Sequence, residues 1–508
     1  MKKDGFTKRY FIKISSSVIV AVLNTVIQLL LPRAFTVEEF GFYSYNLNVF
    51  TSVVVMSNLS MSAALVSKYA KRNNEIGIVY FYLKFFAGIA ILLNFGITLL
   101  FSFDFIRDSF GGQTLLVVLL GLETAILNKL LADIVSIYDA SAISRFPAII
   151  QIGLKLLVSF FVIIFYFLGH LQLHVFYIGH SVITVIAVFI LFAAFFKDID
   201  SKADQVNCGT KTYFKEFWDY CKPLILSTIV TQLLTIAMNY TLLQYSGANG
   251  QAKFGAAWQL NTLLCYVFTP YAELLRREFA VVTEKSDLLK KRFHSSLQLM
   301  TWFTAYFAVF ILVFAEYLLP ILYGEKYNDA IFVTQLIMIY TIYQAWGQIT
   351  GSFMLATEQT KMYAVISVVS QILTFGLIFL FQIPNIWFPQ GLGAEGIALN
   401  YTVTNLISVV IIVCYISRSL HLSVIKENSI LITSSFFLFL IGLISKKIVS
   451  GIILNNTMIE NISRVLFGGM MYTVGVIAVL LYKPALIGTS KKNICLMVDV
   501  MYKRIKNK

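Results

Sequence analysis

Residues 78–102 read IVYFYLKFFAGIAILLNFGITLLFS, a run of 25 residues in which Lys84 is the only charge. About 20 mainly apolar residues are enough to cross a bilayer as an α-helix. The run lacks the period-two alternation of a membrane β-barrel, and a spanning helix satisfies its backbone hydrogen bonds internally. It therefore predicts a transmembrane helix.

Similar apolar runs recur along all 508 residues. The chain is 58% hydrophobic and 13% charged, with a mean hydropathy of +0.78, which leaves too little polar surface for a soluble globule. We therefore predict an all-α polytopic membrane protein with about 14 transmembrane helices. The predicted spans, numbered 1 to 14, are 14–32, 43–66, 78–102, 114–138, 147–168, 174–196, 223–244, 254–275, 297–319, 330–355, 362–384, 393–416, 428–446 and 463–482.

The distribution of lysine and arginine predicts the orientation. With the N-terminus in the cytoplasm, 30 of the 40 basic residues lie on the cytoplasmic side, 7 lie on the outer side and 3 lie inside spans. Both termini are therefore predicted to be cytoplasmic. Basic loops beside anionic lipid headgroups also explain the net charge of +14, so nucleic acid is not expected as a partner.

A polar interruption after span 6 divides the first twelve spans into two groups of six. Span 2 opens near Phe40-Gly41 and span 8 opens at Phe254-Gly255, which suggests an internal repeat of parallel topology. The predicted divisions are an N-terminal lobe at 1–196, a cytoplasmic linker at 197–222, a C-terminal lobe at 223–420, and a last segment at 421–508 that holds spans 13 and 14 and a basic cytoplasmic tail.

Polar side chains occupy one helical face in the first span of each lobe. Polar contacts between membrane helices explain such a face, and so does the lining of a substrate pathway. Because the pattern occurs in both lobes, we favour a shared cavity. The residues predicted to line it are Asn24, Gln28, Asn46, Gln232, Asn239 and Asn261.

Three lysines, Lys84, Lys129 and Lys155, lie inside spans in the cytoplasmic half of the membrane. A charge at that depth costs from about 2.5 kcal/mol, so clustered cations suit an anionic ligand such as a pyrophosphate. Lys84 and Lys155 are also near enough to a helix end to reach the headgroups, and Lys129 can pair with Asp133 four residues on. Arg33 could meet a phosphate at the outer end of span 1 or serve as an interfacial anchor.

Intramembrane carboxylates are the usual site of coupling to H⁺ or Na⁺. Glu123, Asp133 and Glu273 are the candidates, and Glu123 has no basic residue three or four positions away. Two prolines, Pro223 and Pro270, are candidate hinges because proline removes a backbone hydrogen bond. No metal-ligand spacing is present, so neither a metal nor another cofactor is expected.

Three loop motifs carry a family resemblance: residues 30–33 with 38–43, residues 322–330 (LYGEKYNDA) and residues 391–398 (GLGAEGIA). At these positions the chain resembles the Wzx-type polysaccharide flippases of the multidrug, oligosaccharidyl-lipid and polysaccharide exporter superfamily. The resemblance implies two six-helix lobes around a central cavity, with two helices appended.

The same resemblance implies a function in O-antigen or capsule synthesis. The cargo would be an oligosaccharide repeat unit on undecaprenyl pyrophosphate. It would move by alternating access from the cytoplasmic to the outer leaflet of the bacterial plasma (inner) membrane. Other polysaccharide-assembly membrane proteins are partners that the resemblance suggests.

Two other functions compete with this one. A multidrug exporter of the same superfamily would share the core, but span 1 lacks the carboxylate that resembling cation exporters often carry there. A membrane polysaccharide polymerase or ligase would need catalytic groups on large outer loops, whereas the predicted outer loops are short and the five histidines are scattered. We therefore do not expect an enzyme.

Overall fold

The computed structural model describes residues 6–72, 75–141, 143–199, 209–281, 286–357, 359–419, 424–451 and 457–482. These residues form α-helices, one 3₁₀ turn and short loops, with no strand among them. The prediction of an all-α chain is therefore confirmed. The helices are α1 Phe6–Ala34, α2 Val37–Ser57, α3 Met61–Lys71, α4 Ile76–Leu100, α5 Asp104–Ser109, α6 Leu115–Ala140, α7 Arg145–Phe167, α8 Leu173–Ile199, α9 Thr210–Val281, α10 Ser286–Tyr323, α11 Ile331–Ala356, α12 Thr360–Phe381, α13 Gly393–Ser419, α14 Val424–Val449 and α15 Thr457–Tyr482, with the 3₁₀ turn at Glu325–Ala330.

Within these ranges, 12 helices are long and apolar enough to cross a membrane, or up to 13 when a bent pair is counted as one span. One of the 12 runs from Leu224 to Tyr266 and overlaps two of the predicted spans, 223–244 and 254–275. The chain is a multi-pass membrane protein, and the predicted number of spans agrees with the structure once these two are counted separately.

The boundary between those two spans lies at Gly247, where φ is 64° and ψ is −170°. The Gln251 side chain donates a hydrogen bond of 2.7 Å to the carbonyl of Asn239. Twelve residues of straight helix would separate these positions by about 18 Å, so the chain must turn sharply between them. Glycine tolerates this positive φ because it has no Cβ.

The prediction of a single helix over 43–66 for span 2 is wrong. Helix α2 ends at Ser57 and α3 begins at Met61, with a 58° bend between them. Leu59 and Ser60 have positive φ, and the Asn58 side chain accepts a hydrogen bond of 3.0 Å from the Ser62 amide. An asparagine side chain can thus replace the lost helical acceptor, which apolar periodicity does not reveal.

Helix α2 is positioned at its N-terminus by a capping box. Thr36 Oγ1 accepts from the Glu39 amide at 3.1 Å, and a Glu39 carboxylate oxygen accepts from the Thr36 amide at 3.0 Å. One turn further, a Cβ at Gly41 would lie 2.0 Å from the backbone oxygen of Ala248. The helix therefore meets the turn of α9 backbone to backbone.

Contacts group the chain into two compact units. Unit 1 is Met1–Gly255 with Ile378–Ala394, and unit 2 is Ala256–Leu377 with Glu395–Lys508. This division does not follow the predicted lobes, whose limits remain a prediction about topology.

The described part of the predicted linker, 209–222, lies in unit 1 and is helical from Thr210. Three of its residues on one face, Tyr213, Phe217 and Cys221, are buried in the core of unit 1. Because these residues are spaced four apart, they form an apolar stripe that packs on the helices of that unit.

Candidate functional site

The break between α2 and α3 carries a ring of five polar side chains in the core of unit 1. Lys129 on α6 forms an ion pair with Asp133 and donates to Ser62 Oγ at 2.5 Å. Tyr82 on α4 donates to the other oxygen of Asp133. Asn58 donates to the Tyr82 oxygen at 2.9 Å and accepts from Ser62 Oγ at 2.8 Å, which closes the ring.

The ring is largely removed from the surface of unit 1. The side chain of Asp133 is 5% exposed and that of Lys129 is 18% exposed. Asp133 accepts from both an ammonium and a phenol, so its charge is compensated on both oxygens. The predicted same-face pair of Lys129 and Asp133 is confirmed, and α2, α3 and α4 surround it.

Lys155 on α7 is placed differently from Lys129. It is partly buried, and one turn later the Ser159 hydroxyl donates at 3.3 Å to the Leu23 carbonyl of α1. Its ammonium interacts electrostatically with His180 of α8, whose Nδ1 is buried. Among the described residues, neither a carboxylate nor a hydrogen-bond acceptor contacts the Lys155 ammonium, and none donates to or accepts from His180 Nδ1.

The other two predicted cations do not join this group. Lys84 is exposed on α4, on the face that carries Ile91 and Phe95, both about 70% exposed. This position suits the headgroup-reaching alternative. Arg33 is half-buried in the last turn of α1, after Pro32. No contact between described residues joins any two of the four cations, so their common role in binding pyrophosphate remains a prediction.

Of the three candidate carboxylates, only Asp133 has a defined set of partners. Glu123 is half-buried on α6, and no hydrogen bond or ion pair joins its side chain to a described residue. The side chain of Glu273 lies outside the described residues. A role in ion coupling remains a prediction for all three.

Three of the predicted cavity-lining residues are buried in helix contacts within their own units. Asn46 donates to Gln113 at 2.8 Å, Asn239 accepts from Asn48 at 3.2 Å, and Asn261 accepts from Thr341 at 2.9 Å. These contacts are of the kind that joins membrane helices. Whether the same side chains also line a pathway remains a prediction.

The remaining predicted lining residues, Asn24, Gln28 and Gln232, are partly exposed. Gln28 Oε1 is buried and lacks a hydrogen-bond partner in the described part of the chain. In a membrane protein, such an acceptor is costly unless a ligand or water reaches it.

The predicted hinges, Pro223 and Pro270, lie in α9, but their side chains are outside the described residues. The described backbone of α9 departs from helical geometry at Gly247. A hinge role for either proline remains a prediction.

A second polar feature lies within unit 2. A cavity of about 610 Å³ is bounded by the end of α9 and by α11, α12 and α13. Its lining is rich in hydroxyl, amide and tyrosine side chains and includes no charged residue. Beside it, Trp258 stacks on Tyr340 and lies 5.0 Å from the ring centroid of Tyr401.

Sequence reasoning missed several members of both sites. In the ring, Asn58 and Ser62 lie in a segment that the apolar pattern predicts as continuous helix, although Asn58-Leu59-Ser60 resembles a turn sequence. In unit 2, the hydroxyl residues Ser367, Ser370 and Thr374 repeat every three to four positions, which was a detectable signal of one polar helix face.

A charged cluster lies at the end of α3, outside the spans. Arg72 contacts Glu75 at 3.2 Å and also pairs with Glu216 of α9, while the Tyr213 hydroxyl donates to Glu75 at 2.5 Å. Partial burial acts to lower the pKa of Arg72, but the hydrogen bond to Glu216 and the charge of Glu75 raise it on balance. The cluster fastens the start of α9 to unit 1.

The chain matches no protein-family model and no curated protein. Among solved structures, it is similar to the lipid II flippase MurJ in an inward closed conformation, with a TM-score of 0.68 and 14% identity over 94% of this chain and 99% of that chain.

It is also similar to an inward-facing multidrug resistance MATE family transporter of the MOP superfamily. The TM-score is 0.64, with 13% identity over 81% of this chain and 99% of that chain. A third match is a MOP superfamily transporter from Pyrococcus furiosus, with a TM-score of 0.55 and 13% identity over 82% of this chain and 97% of that chain. The chain therefore has the fold of MOP superfamily transporters.

Proposed function

We propose that this protein is a flippase for an undecaprenyl-pyrophosphate-linked oligosaccharide. It moves the repeat unit from the cytoplasmic to the outer leaflet of the bacterial plasma membrane by alternating access, in surface polysaccharide synthesis of the O-antigen or capsule kind. The loop motifs of the Wzx type support this proposal. So does the likeness to MurJ, a flippase for another lipid-linked cargo.

The observation that carries the proposal is Lys155. Its ammonium is partly buried inside a predicted membrane span, and no carboxylate of the described residues neutralises it. An uncompensated charge at membrane depth is costly, so an anionic ligand that enters the protein gains by neutralising it. A pyrophosphate has the charge and the oxygen acceptors to do so.

Lys129 contributes in a different way. In this structure the Lys129 ammonium pairs with Asp133 and donates a hydrogen bond to Ser62. Pyrophosphate oxygens would compete with Asp133 for the same donor, and the released carboxylate would then alter the ring at the α2–α3 break. A ligand that favours one of two arrangements shifts the population of the protein toward it.

A multidrug exporter is the second candidate, because MATE transporters share the fold. A cationic drug would need an anionic site, whereas the one intramembrane carboxylate of the ring, Asp133, is already paired with Lys129 and Tyr82. Asp133 is therefore not available to a cationic drug in this state, and Glu123, which has no described partner, is the carboxylate that an exporter would use.

The test is complementation of a strain from which the native gene has been deleted. The strain should accumulate lipid-linked oligosaccharide in the cytoplasmic leaflet, and the wild-type gene should restore surface polysaccharide. Lys155→Ala should reduce it about tenfold or more at normal protein level, because a charge-assisted hydrogen bond contributes about 1.5–3 kcal/mol. Lys155→Arg should keep part of the activity.

Lys197→Ala is the matched control, because Lys197 is exposed near the end of α8. It should leave polysaccharide unchanged. Normal surface polysaccharide in Lys155→Ala would exclude Lys155 from cargo binding. Restoration of ethidium efflux by the wild-type gene, without any change in polysaccharide, would support the exporter instead.

A further inference from the structure

The cavity of unit 2 is a separate polar site, built without any of the lysines considered above. Its volume of about 610 Å³ lies within the range of about 300–1,000 Å³ that is usual for small-molecule sites. Most of it is formed by α11, α12 and α13, which are long and apolar enough to cross a membrane. A polar surface of this size in such a setting needs a polar occupant, because unsatisfied groups there are costly.

Part of the lining is satisfied by the protein itself. The Ser370 and Ser408 hydroxyls are 2.5 Å apart and join α12 to α13, with one donating to the other, and each oxygen also lies within hydrogen-bonding distance of a carbonyl of its own helix. Thr374 and Thr404 lie 3.4 Å apart one turn along. This row of hydroxyls holds the two helices together at one wall of the cavity.

Another part of the lining has hydrogen-bonding capacity to spare. The side chains of Gln348, Ser352 and Ser367 line the cavity, and none of them forms a hydrogen bond with any residue that the structure describes. They supply amide and hydroxyl donors together with carbonyl and hydroxyl acceptors. Their free groups face a space large enough to hold a ligand.

The chemistry of the lining selects the ligand. With no charged residue in the lining, the cavity offers no ionic partner to a phosphate or to a cation. Mixed donors and acceptors match the hydroxyl groups of a neutral polyol. The rings of Tyr340 and Tyr401, which lie 5.5 Å apart and also line the cavity, provide apolar surface for the C–H face of a sugar ring.

We propose that this cavity binds neutral sugar residues of the cargo's oligosaccharide. The inference rests on the proposed function and deepens it, because it assigns recognition of the glycan to unit 2 and leaves recognition of the pyrophosphate to the lysines of unit 1. Discrimination between glycans then depends on Gln348, Ser352 and Ser367.

The experiment compares two probes on the purified full-length protein in lipid nanodiscs. One probe is undecaprenyl pyrophosphate, and the other is the lipid-linked oligosaccharide extracted from the deletion strain. The wild-type protein should bind the glycosylated lipid at least tenfold more tightly. Gln348→Leu should weaken binding of the glycosylated lipid about 3- to 10-fold, the usual effect of one neutral hydrogen bond, and leave the Kd for undecaprenyl pyrophosphate unchanged.

Gln244→Leu is the control, because it makes the same change of side chain at an exposed position on α9 in unit 1. It should bind both probes as the wild type does. Equal affinity of the wild type for the two probes would overturn the sugar site while the flippase proposal stands. An equal loss of affinity for both probes in Gln348→Leu would likewise overturn the sugar site. Failure of the wild type to bind either probe would remove the flippase proposal, and the sugar site with it.

Discussion

Lys129 and Lys155 show how two similar residues acquire different properties from their surroundings. Lys129 is held by Asp133 and Ser62, so its charge is balanced within unit 1. The Lys155 ammonium interacts electrostatically with His180, and the Ser159 hydroxyl bonds only to the Lys155 backbone carbonyl, so neither residue supplies a negative charge. The first lysine belongs to the ring at the break between α2 and α3, whereas no described carboxylate contacts the second.

The balance of the Lys129–Asp133 pair leads to a stability prediction. Asp133→Ala leaves a buried ammonium without its partner and should lower the free energy of unfolding by about 3 kcal/mol. The double variant Lys129→Met/Asp133→Leu removes both charges and should stay within about 1 kcal/mol of the wild type. Thermal unfolding of the two purified variants in detergent, monitored by size-exclusion chromatography, measures both changes in stability.

The same variants separate stability from transport. If Lys129 binds cargo, the double variant should be stable but should not restore surface polysaccharide in the deletion strain. A double variant as unstable as Asp133→Ala would show that the ring contributes by more than charge balance.

Lys155 should behave in the opposite way in a stability measurement. Because no carboxylate of the described residues pairs with it, Lys155→Met removes a desolvation cost and should raise the apparent Tm, while transport falls. Residues kept for function often reduce stability in this way. A lower Tm in Lys155→Met would indicate that the ammonium makes a stabilising contact.

At the level of secondary-structure elements, α2 is constrained at both ends. Its start is fixed by the Thr36–Glu39 capping box and by close contact of Gly41 with Ala248. Its end is fixed by Asn58, which also belongs to the polar ring. The close contact with the turn of α9 therefore lies on the same helix as the charged ring.

The contact at Gly41 leads to a second prediction. In Gly41→Ala the new Cβ would lie 2.0 Å from Ala248 backbone, which cannot move as a flexible side chain can. Overpacking of this kind costs about 1–3 kcal/mol. The apparent Tm of the purified variant should fall accordingly.

Gly96→Ala provides the matched control on α4, where the added Cβ would meet no described atom within 4 Å apart from the adjoining backbone of its own helix. It should be neutral or stabilising by up to about 1 kcal/mol, because alanine is the better helix former. Equal effects of the two substitutions would show that α2 and the turn of α9 are not in close contact.

For the whole molecule, charge asymmetry is the feature that determines orientation. With 30 basic residues on one side and 7 on the other, both termini are expected in the cytoplasm. A fusion of green fluorescent protein to the C-terminus should therefore fluoresce, and a fusion of alkaline phosphatase there should be inactive. Phosphatase activity at the C-terminus would contradict the orientation.

The loop after α14 is predicted to lie on the outer side of the membrane, so a fusion there should give the opposite result. Alkaline phosphatase fused after Ser450 should be active, because this position follows an odd number of predicted spans from a cytoplasmic N-terminus. An inactive fusion at Ser450 together with an active one at the C-terminus would reverse the predicted topology.

Composition alone was sufficient to predict an all-α multi-pass chain. A bilayer selects for local apolarity over about 20 residues, and that property can be read from any window of the sequence. The Lys129–Asp133 pair could also be predicted from the sequence, because residues four apart share one face of a helix. The loop motifs indicated the superfamily whose fold the structure displays.

Tertiary structure was needed for whatever depends on contacts between distant residues. The ring joins Asn58 and Tyr82 to Asp133, and the cavity of unit 2 joins Gln348 to Ser367 and Ser408. Hydropathy does not encode which helices become neighbours, so it could not distinguish the paired Lys129 from the uncompensated Lys155. Burial and partner choice are properties of packing, and only packing showed that Ser62 and Tyr82 join the Lys129–Asp133 pair while no described carboxylate contacts Lys155.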